Sequence, residues 1–280
     1  MAVSVTEQNH KQEVAAGERF AFGENWKRFL TLLNEERIEQ AKSSLRQMLE
    51  VDDLNGKTFL DVGSGSGLFS LAARMMGAKV VSFDYDPQSV ACTRELKRRY
   101  FEQDADWLVQ SGSVLDPGYL DSLGTFDIVY SWGVLHHTGN MWAALENVAV
   151  NVGAGGKLFI ALYNDQPVAS KYWTFVKKTY NRYTFTRPLW VAIHAVYPTL
   201  PSMLLRAIKK RGNVRGMNVW YDLYDWLGGY PFEVAAPEQI FEHFKRKGYA
   251  LTKLKTARGR LGCNEFVFQR HTGTRAAPAL

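Results

Sequence analysis

Cysteine is nearly absent: Cys92 and Cys263 are the only two in 280 residues. A pair this far apart, with no secretory leader ahead of it, excludes a disulfide-stapled scaffold and reads as reduced thiols in a cytoplasmic protein. Long apolar runs are missing too. The most apolar stretch, Leu189–Leu205, is broken by His194, Pro198 and Pro201 and falls short of the roughly 20 residues a bilayer span needs. No internal repeat or low-complexity tract is present, so solenoids and biased linkers are excluded. The adjacent His136 and His137 lack the i, i+4 spacing of a helical metal pair and have no Asp/Cys cluster around them, so no metal site is expected.

An apolar fraction of 46% is ample for a core. The net charge of +6 is unevenly placed: between Asp165 and Pro237 there are ten Lys/Arg and four Asp/Glu, and the rest of the chain balances at 24 of each. That segment fits an anionic substrate or surface, or simply a set of solvated helix backs.

Residues 1–50 read as a helical, lid-forming segment. Its first part, Met1 to Gly17, is polar and expected to be mobile. Residues 18–50 read as helical, with Phe29, Leu30, Leu32, Leu33, Ile38, Ala41, Leu45 and Leu49 forming a stripe. From 51 to 164 strands and helices alternate: strands at Lys57–Val62, Lys79–Asp84, Trp107–Ser111, Phe126–Ser131 and Lys157–Tyr163, helices at Leu68–Met76, Pro87–Tyr100 and Asn140–Asn151. The alternation predicts a parallel sheet with helices on both faces. Residues 165–236 form an insertion rich in aromatics, Tyr172, Trp173, Phe175, Tyr180, Trp190 and Trp226 among them. It is far longer than an ordinary connection, and reads as a substrate cap or an interfacial segment. Residues 237–270 return to the core with a helix at Glu238–Lys247 and two strands, Ala250–Thr256 and Asn264–Gln269, joined as a hairpin; Asn264 and Glu265 serve hairpin geometry. Residues 271–280 are a tail.

The most informative stretch is Phe59-Leu60-Asp61-Val62-Gly63-Ser64-Gly65-Ser66-Gly67, followed by the helical pattern from Leu68. A strand, a glycine turn and a helix N-terminus bring backbone N–H groups against a ligand. A dinucleotide fingerprint would need its third glycine at position 68, which is Leu68. Asp61 at the strand end would also repel a pyrophosphate, whereas it would accept a ligand carrying an ammonium and a ribose. That points to S-adenosylmethionine and away from a nicotinamide dinucleotide. An ordinary tight turn is the bland alternative.

Two further motifs extend the pattern. Asp84 ends the second strand about twenty residues after the glycine loop, and Phe126-Asp127-Ile128-Val129-Tyr130-Ser131 runs into Trp132-Gly133-Val134-Leu135-His136-His137. Over residues 55–164 and 238–270 the chain resembles the small-molecule branch of the class I S-adenosylmethionine-dependent methyltransferases. The resemblance implies an α/β fold: a doubly wound, Rossmann-like, seven-stranded and mostly parallel sheet with an antiparallel C-terminal hairpin strand, here carrying an N-terminal helical lid and an inserted cap.

It also implies roles. Asp61, Gly63, Ser64, Gly65 and Gly67 hold the methionine end, and Asp84 accepts the ribose hydroxyls. Tyr85 packs on the adenine, while Asp86 caps the helix that starts at Pro87. Ser113 and Val114 fall where the adenine edge is read, with Ser113 replacing the usual acid. Ser131 and Trp132 lie near the sulfonium. His136 is the candidate general base, or shapes the turn together with His137. Trp26, with Phe20, Phe22, Gly23 and Asn25, forms an aromatic turn that closes as a lid or anchors a helix. Tyr163 points to the crevice mouth, and Tyr172 is a cap residue for the acceptor, as is His137. Lys171, Lys177, Lys178, Arg182 and Arg187 interleave with aromatics, and Arg206, Lys209, Lys210 and Arg211 end an apolar helix, a placement the helix dipole favours.

The expected activity is methyl transfer to a small-molecule acceptor, at a hydroxyl or a thiol, leaving S-adenosylhomocysteine and needing no metal. Rival expectations are methylation of RNA or protein through the basic cap, methylation of a lipid-linked acceptor at a membrane surface, and a binding module without turnover. No specific nucleic-acid partner is expected, since the Asn/Asp-Pro-Pro-aromatic run of base N-methyltransferases is absent.

Overall fold

The computed structural model describes residues 5–23, 26, 30–196 and 219–273. Asn25, Phe29, the apolar run beyond Val196 and the basic cluster Arg206–Arg211 lie outside the described residues.

Seven strands form one sheet: β1 Thr58–Val62, β2 Lys79–Asp84, β3 Trp107–Ser111, β4 Phe126–Trp132, β5 Val152–Tyr163, β6 Tyr249–Lys255 and β7 Cys263–Arg270. Their order is β3-β2-β1-β4-β5-β7-β6. The first five run parallel, and β7 is antiparallel to both β5 and β6. The chain winds outward from β1 in both directions, so the ends of β1 and β4 flank the point where the order reverses, where such sheets open a crevice.

Period-2 alternation divides the core between the two faces. Phe59, Val80, Ile128 and Phe159 face α2 Glu35–Leu49, α3 Leu68–Met75 and α4 Pro87–Phe101. Leu60, Val129, Leu158 and Phe266 pack with α6 Met141–Val150 and α10 Pro237–Arg246. The helix starts are locally encoded: Asn34, Asp86, Asp116 and Asn140 each accept a backbone N–H as caps. Asp116 and Pro117 open α5, Pro117–Leu123, a short helix that the hydrophobic pattern alone does not reveal.

Three expectations are corrected. Residues 5–15 are helix α1, with His10 only 5% exposed, where a mobile segment was expected. The long helical stretch is interrupted, because Asn34 caps a new start. β5 begins at Val152, not at Lys157, pairing with Phe126 before the register shifts. Between β5 and α10 the cap carries α7 Pro167–Arg182, α8 Arg187–Val196 and α9 Val219–Gly228. It has a small core of its own: Trp173, Val176, Tyr180, Leu223, Leu227 and Phe232. Among the described residues, no helix is long and apolar enough to cross a membrane.

Candidate active site

The glycine loop after β1 is shaped by backbone demands. Gly63, Gly65 and Gly67 have φ of +77°, +55° and +82°, the left-handed region that glycine enters freely. Space makes the same demand: a Cβ at Gly63 would lie 2.4 Å from the Val134 side chain, and one at Gly65 would lie 3.2 Å from the Trp26 indole. The loop therefore touches both the turn after β4 and the N-terminal segment. Ser64 bonds Thr93 of α4 through its hydroxyl at 2.9 Å.

Asp84 joins the ends of two strands. Its Oδ2 accepts the Gly65 N–H at 2.8 Å and its Oδ1 accepts the Asp86 N–H at 2.9 Å. Burial pushes its pKa up to about 7, against the pull of these backbone donors. Each oxygen keeps a lone pair beyond its one N–H, so a ribose diol has two acceptors on one carboxylate. Asp86 caps α4 as expected, accepting from Gln88, and its other oxygen accepts the Gly23 N–H at 2.8 Å.

Asp61 has a side-chain partner that the sequence does not reveal. Two residues after Phe59 on the same strand, its side chain shares the α3 face, and its carboxylate accepts the Ser70 hydroxyl at 2.5 Å. Ser70 in turn bonds Ser82 at 2.7 Å, and the Trp107 indole donates to Ser82 at 2.9 Å. The chain of donors runs one way, from Trp107 to the acid. Burial raises the Asp61 pKa to about 7, and the neighbouring Asp84 adds to the rise. One carboxylate oxygen thus anchors the helix that follows the glycine loop.

The other residues expected at the cofactor make the following contacts within the chain. Ser131 is fully buried and donates to the Val62 carbonyl at 2.9 Å, stitching β4 to β1. Trp132 packs at the edge of the α2–α4 layer. Ser113 accepts the Leu115 N–H in a local turn, and Val114 is buried with its carbonyl bonded by Asn147. The Tyr85 hydroxyl donates to Glu13 of α1 at 3.0 Å, and burial together with Glu13 pushes its pKa to about 12.

Residues 16–23 act as a strap across these parts. The Arg19 guanidinium pairs with Glu13 at 2.5 Å, donates to the carbonyls of His137 and Thr138, and lies 4.9 Å over the Tyr85 ring. Phe22 packs on His137 at 5.1 Å, and Phe20 donates its N–H to Tyr230. Trp26 on Gly65 continues this cover over the glycine loop. Two open surface concavities, of about 500 Å³ beside Arg46 and about 680 Å³ beside Trp142, share no residue with this constellation.

Past β4, Leu135–His137 forms a single 3-10 turn that buries both histidines. The His136 ring lies 3.9 Å from Tyr163 at the end of β5 and 4.5 Å from His137, whose Nδ1 donates to the Pro231 carbonyl at 2.6 Å. Tyr163 meets Phe232 at 5.1 Å and Trp226 at 5.7 Å, so the cap closes the far side. Tyr172 is not part of this group. The helical period of α7 turns Trp173 and Val176 inward and leaves Tyr172 44% exposed, bonded to His194. Lys177 is also corrected, from a surface cation to a fully buried one. Its Nζ donates to the Trp226 carbonyl and sits 4.3 Å over that ring and 5.0 Å over Phe232. The signal was present in the spacing Trp173, Val176, Lys177, Tyr180 on one helical face. No cluster of three His, Cys, Asp or Glu with metal-holding geometry occurs among the described residues.

A parallel sheet in this order, closed by an antiparallel strand, with a glycine turn after β1 and an acid ending β2, defines the class I S-adenosylmethionine-dependent methyltransferase fold. A family profile described as a methyltransferase domain matches residues 33–189, and the chain belongs to that family. Among curated relatives it is similar to a ubiquinone biosynthesis O-methyltransferase of Xanthomonas oryzae pv. oryzae, 32% identical over 140 residues, covering 50% of this chain and 54% of the relative. The chain thus spans about half the length of the curated relatives it matches. Solved structures share the fold. Magnesium protoporphyrin IX methyltransferase from Synechocystis PCC 6803 with bound S-adenosylhomocysteine superposes at a TM-score of 0.51, with 13% identity over 83% of each chain. The [4+2]-cyclase SpnF gives 0.54, with 12% identity over 84% of this chain and 81% of its own. At such identities the likeness is one of fold alone.

Proposed function

We propose that this protein transfers a methyl group from S-adenosylmethionine to a hydroxyl on a small aromatic acceptor. The observation that carries this reading is the contact of Val134 with Gly63, which sets the His136 turn directly against the glycine loop. Asp84 and the loop backbone would hold the ribose and methionine ends, and Tyr85 the adenine. Bound S-adenosylmethionine supplies an electrophilic methyl on a positively charged sulfur. The chain supplies position and dryness: the strap and cap cover the crevice, and the rings of Tyr163, Phe232 and Trp226 offer flat apolar walls to an aromatic acceptor. His136, enclosed beside Tyr163, takes the hydroxyl proton as the new O–CH₃ bond forms and the S–CH₃ bond breaks. The O-methyltransferase names of the Xanthomonas relatives favour oxygen over sulfur as the atom methylated.

The test is S-adenosylhomocysteine release across phenols, thiols, lipid-linked phenols and tRNA. Turnover with phenols is expected. Turnover with thiols or tRNA alone contradicts the reading.

A further inference from the structure

The cap turns a distinctive face outward. Along α7, Val168, Lys171, Tyr172, Phe175 and Lys178 recur at helical spacing, and all are exposed. Phe185 (79% exposed) follows in the connection, and Leu189 (58%) and Ile193 continue the surface along α8. The two helices meet at this surface, with the Phe175 ring 6.1 Å from Trp190 and the Tyr172 hydroxyl 3.0 Å from His194. Large apolar side chains exposed side by side mark an interaction surface.

Charge identifies the partner. Besides the buried Lys177, residues 167–196 contain four Lys/Arg and no Asp or Glu. A second copy of the same face would set these cations against themselves. Aromatic and aliphatic side chains rimmed by cations, on helices too short to span, match the physics of an interfacial helix on an anionic bilayer.

We propose that the outer face of α7 and α8 docks on an anionic membrane surface, with Phe175, Phe185 and Leu189 in the headgroup boundary and Lys171 and Lys178 on lipid phosphates. The face is not isolated from the site. Ring contacts run from Trp190 through His194, Trp173, Trp226 and Tyr163 to His136, at 5.8, 4.8, 5.1, 5.7 and 3.9 Å. Continuous ring packing thus joins the docking face to the site. The docking itself stands apart from the methyl-transfer reading and fails separately from it.

Flotation of the full chain with phosphatidylglycerol/phosphatidylcholine vesicles, and with pure phosphatidylcholine vesicles, tests the proposal. Binding to the anionic vesicles alone is expected, weakened by about 0.5 M NaCl. Phe185→Ser should lower partitioning about tenfold, and Lys171→Glu or Lys178→Glu about fivefold each or more. These side chains are exposed, so unchanged thermal unfolding checks that the variants remain folded. Failure of the wild-type chain to float with anionic vesicles overturns the proposal, as does equal flotation of the variants. A solution dimer that Phe185→Ser splits would assign the face to a second copy and overturn it too. Calorimetry of S-adenosylmethionine binding on the same samples reports separately on the site.

Discussion

The sheet edge and the cap solve different problems with different chemistry. At the sheet edge the groups lining the crevice are held by backbone: Asp84 by the N–H groups of Gly65 and Asp86, Asp86 by Gln88 and Gly23, Ser131 by the Val62 carbonyl. In the cap the ordering comes from rings, with Trp173, Trp226, Phe232 and Tyr163 packed edge to face or tilted against one another. Backbone-held polar groups specify a fixed ligand geometry, as a shared cofactor requires. Ring surfaces select by shape and apolarity, which suits an acceptor that differs from one enzyme to the next.

Substitutions on the two sides should therefore separate cofactor from acceptor. At the junction, His136→Ala is expected to lower kcat by about 10²–10⁴ while calorimetry finds cofactor affinity kept; a loss of both would merge the two regions. On the sheet side, Asp84→Ala removes the acceptor proposed for two ribose hydroxyls and the anchor of Gly65. At roughly 1.5–3 kcal/mol for each bond to a charged group, cofactor affinity should fall about a hundredfold or more. On the cap side, Trp226→Ala should raise the acceptor KM about tenfold or more through lost apolar contact, with the cofactor Kd unmoved.

A pH titration sharpens the contrast. The Asp84 pKa stands near 7 in the folded chain, against an ordinary 3.8. Below about pH 4 the group is protonated in both folded and unfolded chains. Between about 4 and 7 the unfolded chain ionises first, so the contribution of Asp84 to stability falls as pH rises, and the loss is complete above 7. In the proposed mode the ribose hydroxyls donate to the ionised form. Cofactor affinity should therefore drop about tenfold for each pH unit below 7, and Asp84→Asn should flatten the profile. Ser70→Ala, which removes the donor to Asp61, leaves the crevice lining in place and should cost about 1–3 kcal/mol of unfolding free energy in a denaturant titration.

Much of the sheet side was legible because its signals are local. The glycine turn, the acid ending β2 and the Asp86-Pro87 helix start each lie within a few residues, and each took the place its neighbours dictate. The direction of Asp61 was not legible, since it depends on which face of β1 receives α3 and on Ser82 from the next strand. Lys177 misled for a similar reason: a lysine among lysines reads as surface until helical phase is counted against a partner helix. The aromatic turn of the strap was legible, but helix α1 was not, because it has no apolar stripe. The strap is held by Arg19, Glu13, Tyr85 and Asp86, contacts between residues up to 119 positions apart that no window along the chain can see.

Calorimetric titration of S-adenosylmethionine into the wild-type chain and into Asp84→Ala tests the central claim most directly. One cofactor per wild-type chain and binding at least about a hundredfold weaker in the variant are predicted. A folded wild-type chain that binds none, or a variant that binds equally well, would contradict it.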